Sequence, residues 1–357
     1  MSYSTPSYPP SHPDHRRLPV IDLSAADRGP AERAALHERL HAAAHEVGFF
    51  QLVGHGVTEA ETAALESAMR AFFALPETDR LALDNVNSPH FRGYTRVGDE
   101  RTGGSRDWRD QLDIGAERPA RAPGPGEEPY WWLQGPNQWP AALPALRTAA
   151  LGWIDRLSAV ADRLLRELLT AIGADPAFYD EAFRDGAHPH LKLVRYPGSA
   201  GDGSAQGVGA HKDYGFLTLL LQDTVGGLQV EREDGRFHDV PPMPGAFVVN
   251  LGELLEVATD GYLKATHHRV VSPPGARERF SVPYFHNPRL DARIAPLDFP
   301  HAHVAPGVTA DPANPLFAEY GRNELKGKLR AHPLVAARHH PDLVRHEAPA
   351  GAVVIPS

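Results

Sequence analysis

The stretch "GAHKDYGF", residues 209–216, carries a histidine and an aspartate two positions apart. In a strand, residues i and i+2 face the same side, so His211 and Asp213 can converge on one ligand. The glycines at 209 and 215 bracket the pair and permit close backbone approach. Together the two side chains offer a metal one nitrogen and one hard oxygen, at least one donor too few. A motif this short is weak by itself, and a polar strand end with a surface histidine accounts for it equally simply.

A further donor stands downstream in "THHRVV". His267 and His268 are adjacent, so in a strand they point to opposite faces and only one of them can join the pair. Two histidines and one carboxylate would leave about three coordination positions open, the pattern of non-haem Fe(II) oxygenases. A structural zinc site is more often closed by four protein ligands. In "RERFSV", Arg279 and Ser281 again share one strand face, with Phe280 on the other. A guanidinium with a neighbouring hydroxyl binds a carboxylate well. Inside a barrel such a pair is costly unless an anion sits there; the plain alternative is an exposed arginine on an edge strand.

The elements that must position these residues are legible in outline. Residues 18–23, "LPVIDL", and 49–57, "FFQLVGHGV", read as strands. Residues 29–48, 59–76, 143–173 and 316–333 read as helices from their apolar spacing. Pro30 near the start and Gly48 at the end of the first suit helix termini. Residues 83–140 read as loop-rich, with "WWLQGPNQWP" (131–140) packing as core aromatics. After residue 190 come "LKLVRYPG", "GFLTLLLQD", "GLQVERED", "GAFVVNLG", "KATHHRVVSP" and "RFSVPYFHNP", short strands divided by turn residues. This spacing predicts a β-sandwich, jelly roll or barrel. "HPH" (188–190), "HAH" (301–303) and His339-His340 read as surface or loop histidines.

Composition narrows the classes. The chain has 357 residues, 42% hydrophobic and 23% charged, a globular balance with a formal net charge of −9. No Lys/Arg-rich run speaks for nucleic acid or an anionic membrane, and no apolar stretch approaches the ~18 residues of a membrane span. There is no cysteine, so any metal must be held by carboxylates and by some of the 20 histidines. The Ser- and Pro-rich start lacks a secretory h-region, and the expectation is a cytoplasmic protein without an obligate protein partner.

These motifs, in this order, make the chain resemble the isopenicillin N synthase-like family of Fe(II)/2-oxoglutarate-dependent dioxygenases. "HKDYGFLTLLLQDTVGGLQV", "VVNLGELLEVATDGYLKATHHRV" and "RERFSVPYFHNP" carry the resemblance, with "LPVIDLS", "EVGFFQLVGHGV" and "FFALPETDR" matching the helical N-terminal region. It covers roughly residues 18–345. The resemblance implies an α+β fold with a mainly β core, a double-stranded β-helix (jelly roll) flanked by N- and C-terminal helices. It implies a flexible tail over 1–17 and one domain over 18–357, with a mainly helical part (18–185), the jelly roll with its metal site (186–300) and a C-terminal extension (301–357). Metal ligands fall on His211, Asp213 and His268, the histidine directly before Arg-Val. The far carboxylate of 2-oxoglutarate falls on Arg279 and Ser281, with Tyr196 beside it. Family members from plants often carry Asn where this chain has Val194, and Lys192 on the same face is a candidate to compensate. Residues 91–115 match a stretch that helps cover the active-site mouth.

The implied activity is oxidation of a small molecule by O2 with Fe(II), coupled to decarboxylation of 2-oxoglutarate to succinate and CO2. The alternatives are a 2-oxoglutarate-independent oxidase like isopenicillin N synthase, whose R-x-S binds substrate, or a non-catalytic metal-binding β-barrel. The high Ala, Arg, Gly and Pro content fits a GC-rich bacterial genome, which points to secondary metabolism such as antibiotic biosynthesis.

Overall fold

Runs of β-branched and aromatic residues between Gly, Pro and Asp turns pair into sheets because each strand can bury one face or both. The computed structural model describes residues 17–198, 206–308 and 314–345. The expected N-terminal tail lies outside these but for Arg17, as does the end of the C-terminal extension. In the first half the strands are β1 (Val20–Asp22), β2 (Phe49–Val53), β3 (Gly93–Thr95), β4 (Arg101–Thr102), β5 (Ser105–Arg106) and β6 (Asp110–Gly115). The second half adds β7 (His190–Tyr196), β8 (Gln206–His211), β9 (Leu217–Gln222), β10 (Leu228–Glu231), β11 (Phe237–Asp239), β12 (Phe247–Leu251), β13 (His268–Val271) and β14 (Arg279–His286).

A major sheet runs β1-β2-β12-β9-β14-β7-β6-β3 and a minor sheet β11-β10-β13-β8, while β4 and β5 form a separate hairpin. From β7 to β14 the chain passes back and forth between the two sheets. This is the winding of a double-stranded β-helix, the jelly roll expected from the sequence. Between the sheets lies a small core that includes Val194, Tyr196, Val208, Leu228, Val248 and Val270. The other face of the major sheet, with Leu191, Leu193, Leu219 and Tyr284, packs under the helix Ala145–Ala171. Strands buried on both faces can therefore place polar residues inward without losing their outer packing.

Local signals set the helix ends. Thr58 and Glu61 form a capping box at the start of Glu59–Phe73, worth about 1 kcal/mol. Gly48 closes the first helix with φ of 71°, and a Cβ there would meet Lys264 O at 2.1 Å. Among the described residues no helix is long and apolar enough to cross a membrane.

Two expectations need correction. The segment 83–140 is not all loop: β3 and β6 extend the major sheet, and the inward polar residues Gln111 and Asp113 of β6 hide the strand pattern. In "WWLQGPNQWP" the tryptophans are half-buried rather than core, while the nearby Tyr130 and Leu133 are buried. They make polar contacts instead: Trp139 Nε1 donates to Glu117 at 2.8 Å, and the Arg121 guanidinium sits 3.5 Å over the face of Trp131.

Candidate active site

β8 ends on His211, β13 begins on His268, and the two are register partners across the minor sheet. Asp213 lies beyond the strand, so its carboxylate converges from the following turn rather than from a shared strand face. One ligand atom from each of the three residues lies within 4.8 Å of the others. Nε2 of His211 is 3.5 Å, and Nε2 of His268 3.7 Å, from Asp213 Oδ1.

Surrounding groups aim these atoms. His211 Nδ1 donates to Gly209 O at 2.8 Å and His268 Nδ1 to Thr266 O at 3.2 Å. Each bond assigns the proton to Nδ1 and leaves Nε2 with its lone pair. Asp213 Oδ2 accepts from Thr218 Oγ1 at 2.5 Å and Asn250 Nδ2 at 2.8 Å, which keeps Oδ1 for a metal. The turn itself is tight: a Cβ on Gly215 would meet Asn287 Oδ1 at 2.2 Å. Sequence reasoning missed Thr218 and Asn250. A polar residue at an inward position of the apolar run "FVVNL" was the available signal for Asn250.

Burial would raise the Asp213 pKa, but the His268 and His211 imidazoles and the Thr218 hydrogen bond outweigh it and hold the carboxyl well below the usual range. Burial and the nearby His211 pull His268 down to about 4. His211 moves the other way, because the Asp213 carboxylate outweighs its burial. An ionised carboxylate and a neutral imidazole suit a divalent cation, and three donors with the rest of the shell open fit Fe(II). His267 points away, exposed, with Nδ1 3.0 Å from Glu231 Oε2.

The R-x-S pair stands on β14, inside the major sheet rather than at its edge. Arg279 is fully buried; its Nε donates to Gly226 O at 2.6 Å and its Nη1 to Ser281 Oγ at 3.2 Å. Its Nη2 is buried with no hydrogen-bond partner, and no carboxylate among the described residues pairs with it. Tyr196, its register partner on β7, lies with its ring 4.7 Å below the guanidinium. A buried, unpaired guanidinium is a standing cost that an incoming carboxylate removes. Val194, opposite Ser281, adds no hydrogen bond. The Lys192 ammonium is held by Glu100 at 2.8 Å and Asp113 at 3.6 Å, so it does not stand in for the missing Asn.

Within residues 91–115, Asp107 pins the chain alongside β8: it accepts from Gln206 Nε2 at 2.9 Å and Thr102 Oγ1 at 2.7 Å. The expectation for "HPH" is overturned. His188 and His190 are buried, because His190 sits inward on β7, 2.7 Å from Asp113 Oδ1, and His188 packs beside Arg92 at 3.2 Å. His340 is buried too, stacked on Phe91, whereas His301 and His303 are exposed.

Comparison with known proteins bears on this geometry. Residues 18–142 match the model of the non-haem dioxygenase N-terminal region named for morphine synthesis, and 187–288 that of the 2OG-Fe(II) oxygenase superfamily. A 2-oxoglutarate-dependent dioxygenase of Dothideomycetidae sp. is 36% identical, over 81% of this chain and 78% of that protein. Validamycin A dioxygenase of Streptomyces hygroscopicus subsp. limoneus is 32% identical, over 79% and 80%. The crystal structure of a full-length Neurospora crassa protein in complex with alpha-KG superposes with a TM-score of 0.71 at 25% identity, covering 89% of this chain and 98% of that one.

Proposed function

The chain belongs to the 2OG-Fe(II) oxygenase superfamily and oxidises a small molecule with Fe(II) and 2-oxoglutarate; we propose that His211, Asp213 and His268 hold the iron and that Arg279, Ser281 and Tyr196 receive the cosubstrate's far carboxylate. The observation that carries this reading is the buried Arg279 guanidinium with its free Nη2, on the same barrel interior as three converging metal donors. Held there, Fe(II) would activate O2, the oxidant, while 2-oxoglutarate would supply two electrons as it is decarboxylated to succinate and CO2. The protein's own part is positional. Thr218 and Asn250 keep Asp213 Oδ1 aimed, the two backbone carbonyls keep both Nε2 atoms aimed, and Arg279 sets the far end of the cosubstrate.

We take the substrate to be a small, hydrophilic compound of secondary metabolism, oxidised in the cytoplasm without an obligate protein partner. Two observations support this. The residue that follows Asp213 is polar: Tyr214 lies with its ring against Gly327, within the field of the Glu100 carboxylate. Burial and the fields of Glu324, Asp213 and Glu100 push the Tyr214 phenol well above its ordinary pKa, which places it among carboxylates. The similarity to validamycin A dioxygenase points the same way. A mass-spectrometric screen of hydrophilic small molecules tests the reading. The expected result is one product gaining an oxygen or losing two hydrogens with matching succinate, abolished in H268A. Turnover surviving in H268A, or turnover of hydrophobic candidates alone, contradicts it.

A further inference from the structure

Gln222 ends β9 directly opposite Ser281 of β14 in the antiparallel register. Opposed residues project from the same face with Cβ atoms about 4.5–5.5 Å apart. That face is the barrel interior, since Thr218, on the same side of the same strand, reaches Asp213 Oδ2. Both side-chain amide atoms of Gln222 are out of solvent, and neither Nε2 nor Oε1 has a hydrogen-bond partner. Arg279 Nη2, which shares a strand face with Ser281, is in the same condition. Unmatched donors and an unmatched acceptor thus gather around one hydroxyl, in a run "LTLLLQ" where an apolar residue would cost nothing.

Burying an amide without partners is costly, so a ligand that completes its hydrogen bonds is favoured. The amide is neutral. Arg279 brings the positive charge that matches a carboxylate, while Gln222 adds direction without a second charge.

We propose that Gln222 is a third anchor of the cosubstrate and its length gauge. Its Nε2 donates to the distal carboxylate of 2-oxoglutarate beside Arg279 and Ser281, and its Oε1 accepts from the Arg279 guanidinium. The pocket then discriminates against a 2-oxo diacid one methylene longer or shorter, whose carboxylate cannot meet all three groups. This inference rests on the placement of the far carboxylate at Arg279.

The test is anaerobic titration of the Fe(II)-loaded enzyme with 2-oxoglutarate, 2-oxoadipate and oxaloacetate, read by the visible charge-transfer band. Q222M, Q222E and R279L are compared with the wild type, and Fe(II) affinity is measured separately by fluorescence quenching. Loss of a hydrogen bond to a charged group predicts roughly 10-fold weaker 2-oxoglutarate binding in Q222M. Discrimination against the other two acids should shrink as well. Q222E, which sets a carboxylate against a carboxylate, should bind more weakly still, and Fe(II) affinity should hold in every variant. If R279L loses 2-oxoglutarate while Q222M keeps wild-type affinity and selectivity, Gln222 is only a structural amide and the proposal falls. If R279L keeps 2-oxoglutarate, the pocket itself is wrongly placed. Q222M is nearly isosteric, so the question stays answerable should Q222E not fold.

Discussion

Among the described residues, two buried clusters of histidine and carboxylate stand in this barrel, and they differ in whether their donors are free for the proposed iron. In the first, His211, Asp213 and His268 turn ligand atoms toward a common point. In the second, His190 Nε2 lies 2.7 Å from Asp113 Oδ1, with Glu324 3.7 Å from His190 Nδ1. The donor types are the same. The difference is the Lys328 ammonium, 3.3 Å from Asp113 and 3.5 Å from His190 Nε2, with Lys192 on the same carboxylate. A lysine stands where a cation would have to enter, so the second cluster is already neutralised and serves to join the C-terminal helix Tyr320–Ala331 to the sheet. Donor type alone does not make a metal site; the ligand atoms must also converge without being taken up by an ammonium among them.

That contrast can be broken in order of expected effect. D213A should lower Fe(II) affinity by about two orders of magnitude or more and abolish turnover; metal analysis by mass spectrometry checks it. D113A should act on stability instead. It removes the carboxylate that the buried Lys328 ammonium pairs with and leaves Lys192 to Glu100 alone; removing one partner of a buried pair costs about 3–5 kcal/mol, visible in chemical denaturation, while Fe(II) affinity in the folded protein stays within a few-fold.

A pH effect of intermediate size belongs to the second cluster. Burial lowers His188 to about 3 and His332 to about 4. Unfolded, both bind a proton near their ordinary pKa of 6.5, whereas folded they stay neutral. Their contribution is therefore fully present above pH ~6.5 and is lost as pH falls toward 3–4, at up to ~1.4 kcal/mol per pH unit for each group. Glu324, held at about 2 because neighbouring His190, His188 and Lys328 outweigh its burial, carries the decline further. Denaturation midpoints between pH 5 and 7 should fall with acid, less steeply in H188N. The smallest effect is expected of H267A: Fe(II) affinity within about two-fold of wild type, since that side chain faces outward to Glu231.

How much of this was readable beforehand follows from the same physics. The strand alternation separated His267 from His268 and put Arg279 with Ser281, because a period of two leaves little choice. Asp213 converges for a different reason than expected, from a turn that Gly215 allows. The buried fate of His188 and His190 was not legible, since their partners Asp113, Glu324, Lys328 and Arg92 come from distant segments. Nor could β6 be seen as a strand, because its inward positions are polar to meet those same residues. Long-range ion networks leave no local period, whereas metal donors on paired strands do.

The central claim is that an open three-donor metal centre and the Arg279 pocket are two ends of one cosubstrate site. Anaerobic addition of Fe(II) and then 2-oxoglutarate to the wild type and to R279L tests it most directly. A weak visible charge-transfer band is expected only when both are present with the wild type, and in R279L a band that requires far more 2-oxoglutarate although Fe(II) binds as before. A band that forms equally in R279L, or Fe(II) binding lost together with 2-oxoglutarate in that variant, would contradict it.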